Sequence, residues 1–335
     1  SANVTLTVSV SQLGKIGTVN TSATGSSLTV NLNGVTIDNE TVDISGTVVG
    51  TTVNVTLANN AILKLSETDA DGATIGGTGN VTVNGLTATT NLANLSATGT
   101  HTGNINATLD VSGNSNIAAL DAYVVAANAT ASLSAAQAQK DITLGSSAVA
   151  KLKVSTGTDV SGLTFDSDVT EFIVTSGTLT VSTAQATGRV ISGAGGVTVN
   201  ALAADANLAS VSASGTVTAN VADNLDYSAN TNISTVDAFV IAANKTGSFS
   251  AAQGAKSITL GSGAIAKVIA ASDISGTTLS GSVTKIDVSN SATASLSAAQ
   301  AQLDITLGSS AVAKLKVSTG TDVSGLTFDS DVTEF

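Results

Sequence analysis

Six acidic residues have the spacing of oxygen ligands for a cation: Asp166, Asp168, Glu171, Asp329, Asp331 and Glu334. Carboxylate oxygens are the ligands that Ca²⁺ prefers in proteins. The second trio repeats the first, but a related stretch 114 residues after the first trio has Ser280, Ser282 and Lys285 instead. We therefore interpret both trios as solvated acidic turns and keep calcium binding as the alternative. No other cofactor is expected.

The single histidine, His101, could act as a general base or as a metal ligand. Its counterpart 116 residues later is Val217, which favours a structural strand position. The chain has no cysteine, so a thiolate metal site or a cysteine nucleophile is excluded. We expect no catalytic residue and no enzymatic activity.

The chain is built from internal repeats. Residues 129–172 return as 292–335 with one change, Lys140 to Leu303, and residues 62–150 match 178–266 at an offset of 116. Repeats of this kind indicate one array over 1–335, with diverged first coils in 1–42. The second copy stops where the first continues, so we expect this sequence to be part of a longer chain.

Two short motifs recur along the array. Asp-x-Ser-Gly begins at Asp43, Asp110, Asp159, Asp273 and Asp322, with a degenerate copy at Asp226. Ser-x-x-Gln begins at Ser134, Ser182, Ser250 and Ser297, with a degenerate copy at Ser66. The first motif predicts a turn in which the aspartate accepts from nearby backbone N–H groups and the glycine adopts a conformation closed to other residues. The second has the spacing of a capping box and predicts one helical turn.

Between the motifs, apolar and small polar residues alternate over four to six positions, as in SLTVNL and KLKV. This alternation predicts short strands with one buried face. The motif spacing averages about 23 residues, which predicts one coil per step and stacking of positions 134, 159 and 182. The predicted fold is all-β: a parallel β-solenoid, or β-helix, with coils of about 23 residues and occasional one-turn helices at corners.

Composition narrows the possible partners. The net charge is −12, so nucleic acid and anionic membranes are not expected partners. No apolar run is long enough for a membrane span. Proline is absent, which suits a chain that consists largely of ladder-forming strands.

The combination of LSAAQA, ITLG or VTVNGL, and Asp-x-Ser-Gly resembles the repeat regions of giant bacterial cell-surface proteins of the adhesin or surface-fibre type. The resemblance implies an extracellular location on the bacterial surface and a structural role. The expected function is a stalk or shaft segment of a fibre used for attachment to cells or surfaces. The expected partners are further copies in a homo-oligomeric fibre, with contact to other cells or surfaces through regions outside this window.

Two other functions remain as alternatives. Solenoids can carry carbohydrate-active lyases or hydrolases, which need converging carboxylates or basic residues. Thr-x-Thr pairs such as Thr100/Thr102 could instead order water in an ice-binding module, although here they do not recur once per coil.

Overall fold

The structure is a computed structural model that describes residues 33–45 and 53–335. Residues 1–32, which include most of the predicted diverged coils, lie outside the described residues. The chain divides into two compact units. The first holds the described residues up to 153 together with 163–172, and the second holds 154–162 together with 173–335.

The first unit is built from short strands and single helical turns. Its strands are β1 Asn33–Ile37, β2 Thr41–Asp43, β3 Asn54–Leu57, β4 Ile62–Ser66, β5 Thr74–Gly77, β6 Asn80–Asn84, β7 His101–Ile105, β8 Leu109–Asp110, β9 Ala122–Val125, β10 Thr130–Leu133, β11 Asp141–Leu144 and β12 Val149–Val154. Its helical turns are α1 Glu67–Ala70 and the 3₁₀ turns Ser115–Ile117 and Gln137–Gln139.

The remaining elements have the same character, and most of them belong to the second unit. The strands are β13 Thr158–Asp159, β14 Val169–Val174, β15 Thr178–Ser182, β16 Val190–Ser192, β17 Gly196–Asn200, β18 Val217–Val221, β19 Leu225–Asp226, β20 Ala238–Ile241, β21 Thr246–Phe249, β22 Ser257–Leu260, β23 Ile265–Ala270, β24 Val283–Val288, β25 Thr293–Leu296, β26 Asp304–Leu307, β27 Val312–Leu315 and β28 Val332–Glu334. The helical turns are α2 Thr183–Ala186, α3 Ala251–Gly254 and the 3₁₀ turns Thr231–Ile233 and Gln300–Gln302. Residues 169–172 of β14 belong to the first unit.

Every described strand pair is parallel, and successive strands of a sheet come from successive coils. In the first unit the sheet orders are β1-β3-β5, β11-β9-β7-β6-β4-β2 and β14-β12-β10-β8. In the second unit they are β13-β15-β17-β18-β20-β22, β19-β21-β23-β24-β26 and β25-β27-β28. The protein is therefore a parallel β-solenoid of about 15 turns, as predicted.

The coil is shorter than the predicted 23 residues, at roughly 19. Thr130 pairs with Val149, and Ala122 pairs with Asp141, so the partners in each pair are 19 residues apart. The prediction was wrong because the two motifs do not mark the same place in successive coils. In the second unit, Ser248 of β21, which comes just before a Ser-x-x-Gln motif, pairs with Lys267 of β23. Ile274, which lies in the next Asp-x-Ser-Gly motif, donates its backbone N–H to the carbonyl of Ser295 in β25, a strand of a different sheet. A step between motifs therefore spans one coil plus a few residues.

The predicted stacking of positions 134, 159 and 182 holds only in part. Asp159 in β13 pairs with Thr180 in β15, so the segments around 159 and 182 are neighbours in one sheet. Ser134 follows β10, which belongs to another sheet. Each Asp-x-Ser-Gly copy that forms a described strand lies at the edge of its sheet, at β2, β8, β13 and β19. The motif thus marks the start of a sheet.

The core consists of aliphatic ladders. Strand burial alternates along β4, β6 and β12, where every second side chain faces inward. Leu63, Leu65 and Val83 are fully buried, and in-register pairing places Leu63 beside Val81 in the next coil. A single coil has no partner for this apolar face, so stacking supplies the core and much of the stability.

Candidate functional site

The predicted Asp-x-Ser-Gly turn forms at all six copies. In each, the aspartate Oδ1 accepts a hydrogen bond from the backbone N–H two residues later, at 2.9 to 3.1 Å. The prediction for the motif glycine is wrong. Gly113, Gly162, Gly276 and Gly325 are not in the left-handed region, and an added Cβ would meet open space. The side-chain bond of the aspartate already shapes the turn, so the glycine needs no special backbone angle.

The predicted capping box of Ser-x-x-Gln also forms. In α2 and α3 the serine hydroxyl accepts from the glutamine N–H, while the glutamine side chain accepts from the serine N–H. The same reciprocal pair forms at the 3₁₀ turns Gln137–Gln139 and Gln300–Gln302, with Ser134 N–H donating to Gln137 Oε1 at 2.8 Å. The glutamines fix these helical turns to the strands before them.

The two motifs meet in space, which the sequence did not reveal. The buried Gln137 amide donates to the carbonyls of Val111 and Asn114, at 3.0 and 3.1 Å. Gln253 repeats this contact with Tyr227 and Asn230, at 3.0 and 2.8 Å. We call each such contact, between a glutamine turn and the Asp-x-Ser-Gly turn one coil earlier, a motif joint.

Two asparagines complete the joints and were missed by sequence reasoning. Asn114 caps a 3₁₀ turn and donates its amide to the Thr90 carbonyl at 2.9 Å. Asn230 caps the equivalent turn and donates to the carbonyls of Ala204 and Ala206. Their equal position at an offset of 116 was the available signal.

A cavity lies at each of these two joints. The first, of about 480 Å³, is lined among others by Ser115, Tyr123 and Lys140. The second, of about 410 Å³, is lined among others by Thr231, Phe239 and Lys256. These residues correspond pairwise at an offset of 116, so the two cavities are copies of one site. We call them the first and second lysine pockets.

The other lysines of the described residues are engaged by acids. Eight of the ten form ion pairs: Lys64–Asp43, Lys151–Glu171, Lys153–Asp110, Lys245–Asp223, Lys267–Asp287, Lys285–Asp304, Lys314–Glu334 and Lys316–Asp273. Lys140 and Lys256 are the two described lysines outside these pairs, and each lines a lysine pocket.

The six calcium candidates are not gathered into one cluster. Asp166 and Asp329 each accept from the backbone N–H two residues later, at 2.9 Å, and so form turns. Glu171 pairs with Lys151 at 2.6 Å, and Glu334 pairs with Lys314 at 2.5 Å. Among the described residues no group of three acidic or histidine side chains could hold a metal ion. Solvated acidic turns remain our interpretation, and calcium binding remains the alternative.

His101 occupies a buried strand position, as its Val217 counterpart indicated. It pairs with Val81 in the ladder, and its Nδ1 lies 2.9 Å from the Ala119 carbonyl oxygen. Its Nε2 is buried without a hydrogen-bond partner. Asp121 accepts from the His101 backbone N–H at 2.9 Å, and Asp237 accepts from Val217 in the same way. The backbone position is therefore conserved between the copies while the side chain differs.

Several aromatic residues lie in the core, whereas Phe165 is half-buried. Tyr123, Phe172, Phe239 and Phe249 have at most 1% of their surface exposed. Burial raises the pKa of the Tyr123 hydroxyl. These rings support the cavities and ladders from within, and they form no exposed row.

Searches against protein-family models, curated proteins and solved structures find no match for this chain. Within the described residues, no helix is both long enough and apolar enough to cross a membrane. Class assignment thus ends at the fold: this is a β-solenoid repeat protein.

Proposed function

We propose that this chain is a structural shaft segment of an extracellular bacterial surface fibre or adhesin. The observation that carries the proposal is the use of the repeated polar residues. The aspartates, serines and glutamines of both motifs form hydrogen bonds within turns and in motif joints between successive coils. Residues repeated in order to hold coils together are expected in a shaft, because every coil needs the same support.

The charged side chains support the same function. Lysines on one coil bind acids on another, as in Lys151–Glu171 and Lys267–Asp287. Such pairs link neighbouring strands in addition to the backbone ladder. The resemblance to repeat regions of bacterial surface proteins supports the extracellular location and the self-associated fibre.

Electron microscopy of the native assembly tests this proposal. We expect a continuous fibre with a rise of about 4.8 Å per coil, the spacing of paired strands. Protease treatment of intact producing cells should release the chain, because a surface shaft is accessible from outside. Isolated globular monomers, or a chain protected inside intact cells, would refute the shaft.

The enzyme alternative has its own test. A solenoid lyase or hydrolase would need free carboxylates that converge on a substrate. Asp166 is engaged in a turn and Glu171 in an ion pair, so we favour the shaft. Turnover of a polysaccharide that is lost in Asp166→Asn or Asp168→Asn would favour the enzyme, and thermal hysteresis of the purified chain would favour ice binding.

A further inference from the structure

The two lysine pockets share their walls as well as their positions. Of the residues lining the second pocket, nine have their counterpart in the lining of the first, at an offset of 116. The volumes of about 410 and 480 Å³ lie within the range of small-molecule sites, roughly 300 to 1,000 Å³. The array therefore presents one small concave site twice.

Lys140 and Lys256 each give their pocket a positive charge, whereas the charges of the other described lysines are neutralised by acids. The chain has 24 acidic and 12 basic residues, so acids are in excess over bases. Eight described lysines form ion pairs with these acids. Lys140 and Lys256 are half-buried, and among the described residues no acidic group lies within ion-pair distance of either lysine. A partly desolvated ammonium without a counter-ion is unfavourable. An anionic ligand would supply the missing charge.

The walls favour a ligand with one apolar face and several hydroxyl groups. In the second pocket, Phe239 and Val236 are fully buried beneath the wall, and the exposed Ala252 provides apolar surface. Thr231 and Ser234 place exposed hydroxyl groups in the same pocket. Hydroxyl side chains can both donate and accept hydrogen bonds. The amides of the joint asparagine and glutamine are already bound to carbonyls, so they hold the shape of the pocket.

We propose that the two lysine pockets bind carboxylated sugar residues of an acidic polysaccharide. A uronic acid has the three features that the pocket complements. Its ring has an apolar C–H face for the exposed alanine of each pocket, Ala136 or Ala252, and its hydroxyl groups match the exposed hydroxyl of Ser115 or Thr231. Its carboxylate pairs with the lysine ammonium. This inference does not depend on the shaft, since binding is measured on the chain alone.

The test is calorimetric titration of the chain with trigalacturonic acid, at low salt. We expect two equivalent binding sites per chain. The same trisaccharide with its carboxylates methyl-esterified keeps the ring and hydroxyl groups but loses the charge, so it should bind at least about tenfold more weakly, as expected for a lost charged hydrogen bond. Equal binding of acid and ester would overturn the proposal.

The variant pair Lys140→Leu with Lys256→Leu should abolish binding. Leucine is the residue that the chain itself carries at the equivalent position, Leu303, so the coil tolerates it. Each single variant should leave one site. Unchanged melting temperatures verify the fold, and full binding by the double variant contradicts the assignment.

A matched control removes the same charge elsewhere. Lys64→Leu with Lys245→Leu takes one lysine from each unit, outside both pockets. This variant should bind as the parent does, whereas an equal loss would reveal a diffuse charge effect and overturn the site. Sedimentation tests a second copy as the occupant: self-association that needs Lys140 and Lys256, without sugar binding, also overturns the proposal.

Discussion

Residues 62–150 and 178–266 are two versions of the same stretch, with the same polar joints and different core side chains. The hydrogen bonds of the joints are kept: Gln137 and Gln253 make the same contacts to carbonyl groups. Asn84 and Asn104 pair by their side chains across coils, and Asn200 and Asn220 do so at 2.8 Å. These polar contacts are thus kept while the core side chains vary.

The core changes compensate one another in volume. Where the first region has Ala131 beside Leu133, the second has Gly247 close to the larger Phe249. A Cβ at Gly247 would lie 2.7 Å from the Phe249 ring. Close packing leaves no room for both a methyl group and the phenyl ring. Each region therefore has the larger side chain at one of the two positions and the smaller side chain at the other.

A second exchange follows the same rule. Gly103 of the first region faces Leu120, and a Cβ there would lie 2.7 Å from the Leu120 Cδ1. The second region has Ala219 and the smaller Val236 at these positions. The regions are two solutions to one packing problem, with the polar joints held constant.

The largest expected effect comes from the shared skeleton. Gln137→Leu and Gln253→Leu should each lower the free energy of unfolding by about 3 kcal/mol, because two buried carbonyls and a backbone N–H lose their partner. Both regions should respond alike, as measured by urea unfolding. The exposed Gln139, changed to leucine, is the control and should have little effect. Unequal losses would show that the joints are not equivalent.

The core should respond differently in the two regions. Gly247→Ala should destabilise the second region by about 2 kcal/mol through overpacking against Phe249. Adding Phe249→Leu recreates the Ala131/Leu133 arrangement and should recover most of that loss. A double-mutant cycle on unfolding free energies measures the coupling. Additive effects would contradict volume compensation.

His101→Val should stabilise the first region by about 1 kcal/mol, because it removes a buried ring nitrogen that has no partner. The reverse change, Val217→His, should destabilise the second region. Both are measured as shifts in melting temperature. If His101→Val is destabilising, the imidazole makes a packing contribution that the valine of the second region does not replace.

The ion pair between Asp110 of the first region and Lys153, which lies just beyond it, should add a small contribution to the free energy of unfolding, and acid should remove that contribution. Burial raises the pKa of Asp110, but hydrogen bonds from Lys153 and Ser112 outweigh it and leave the pKa below 3.8. A lowered pKa stabilises the fold above pH 3.8, and this stabilisation is lost as pH falls through the folded-state value. Lys153→Ile, which copies Ile269 of the second region, should therefore cost roughly 0.5 kcal/mol at pH 7.

The melting temperatures of the parent and of Lys153→Ile should converge towards pH 2. High salt should also reduce the gap, because the pair is partly exposed. A gap that persists at low pH would assign the effect to packing.

The smallest effect is expected from calcium. Millimolar Ca²⁺ should leave the melting temperature unchanged, because Glu171 is paired with Lys151 and Asp166 is engaged in a turn. A bound ion would raise the melting temperature by mass action, and EDTA would reverse the rise. Such a rise, lost in Asp166→Asn, would establish the calcium site that the sequence suggested.

The candidate site shows where sequence reasoning stops. The aspartate turns and the capping boxes were predictable because donor and acceptor lie two or three residues apart. The joint between Gln137 and Val111 spans 26 residues, and no local pattern specifies it. The sequence also did not show which lysines lack an acidic partner, because the acids that pair with the other lysines come from other coils.

The sequence by itself determined the strands, their buried faces and the parallel stacking. Alternation of apolar and polar residues has a period of two, and repeats of one length can bury their apolar faces only by stacking. The coil length of roughly 19 residues was decided by the tertiary structure. The register depends on which sheet the chain enters after each turn. The Asp-x-Ser-Gly turns begin new sheets at β8 and β19. The ordinary backbone of Gly113, the unpartnered ring of His101 and the two lysine pockets follow from contacts between coils, which the order of residues along one coil does not contain.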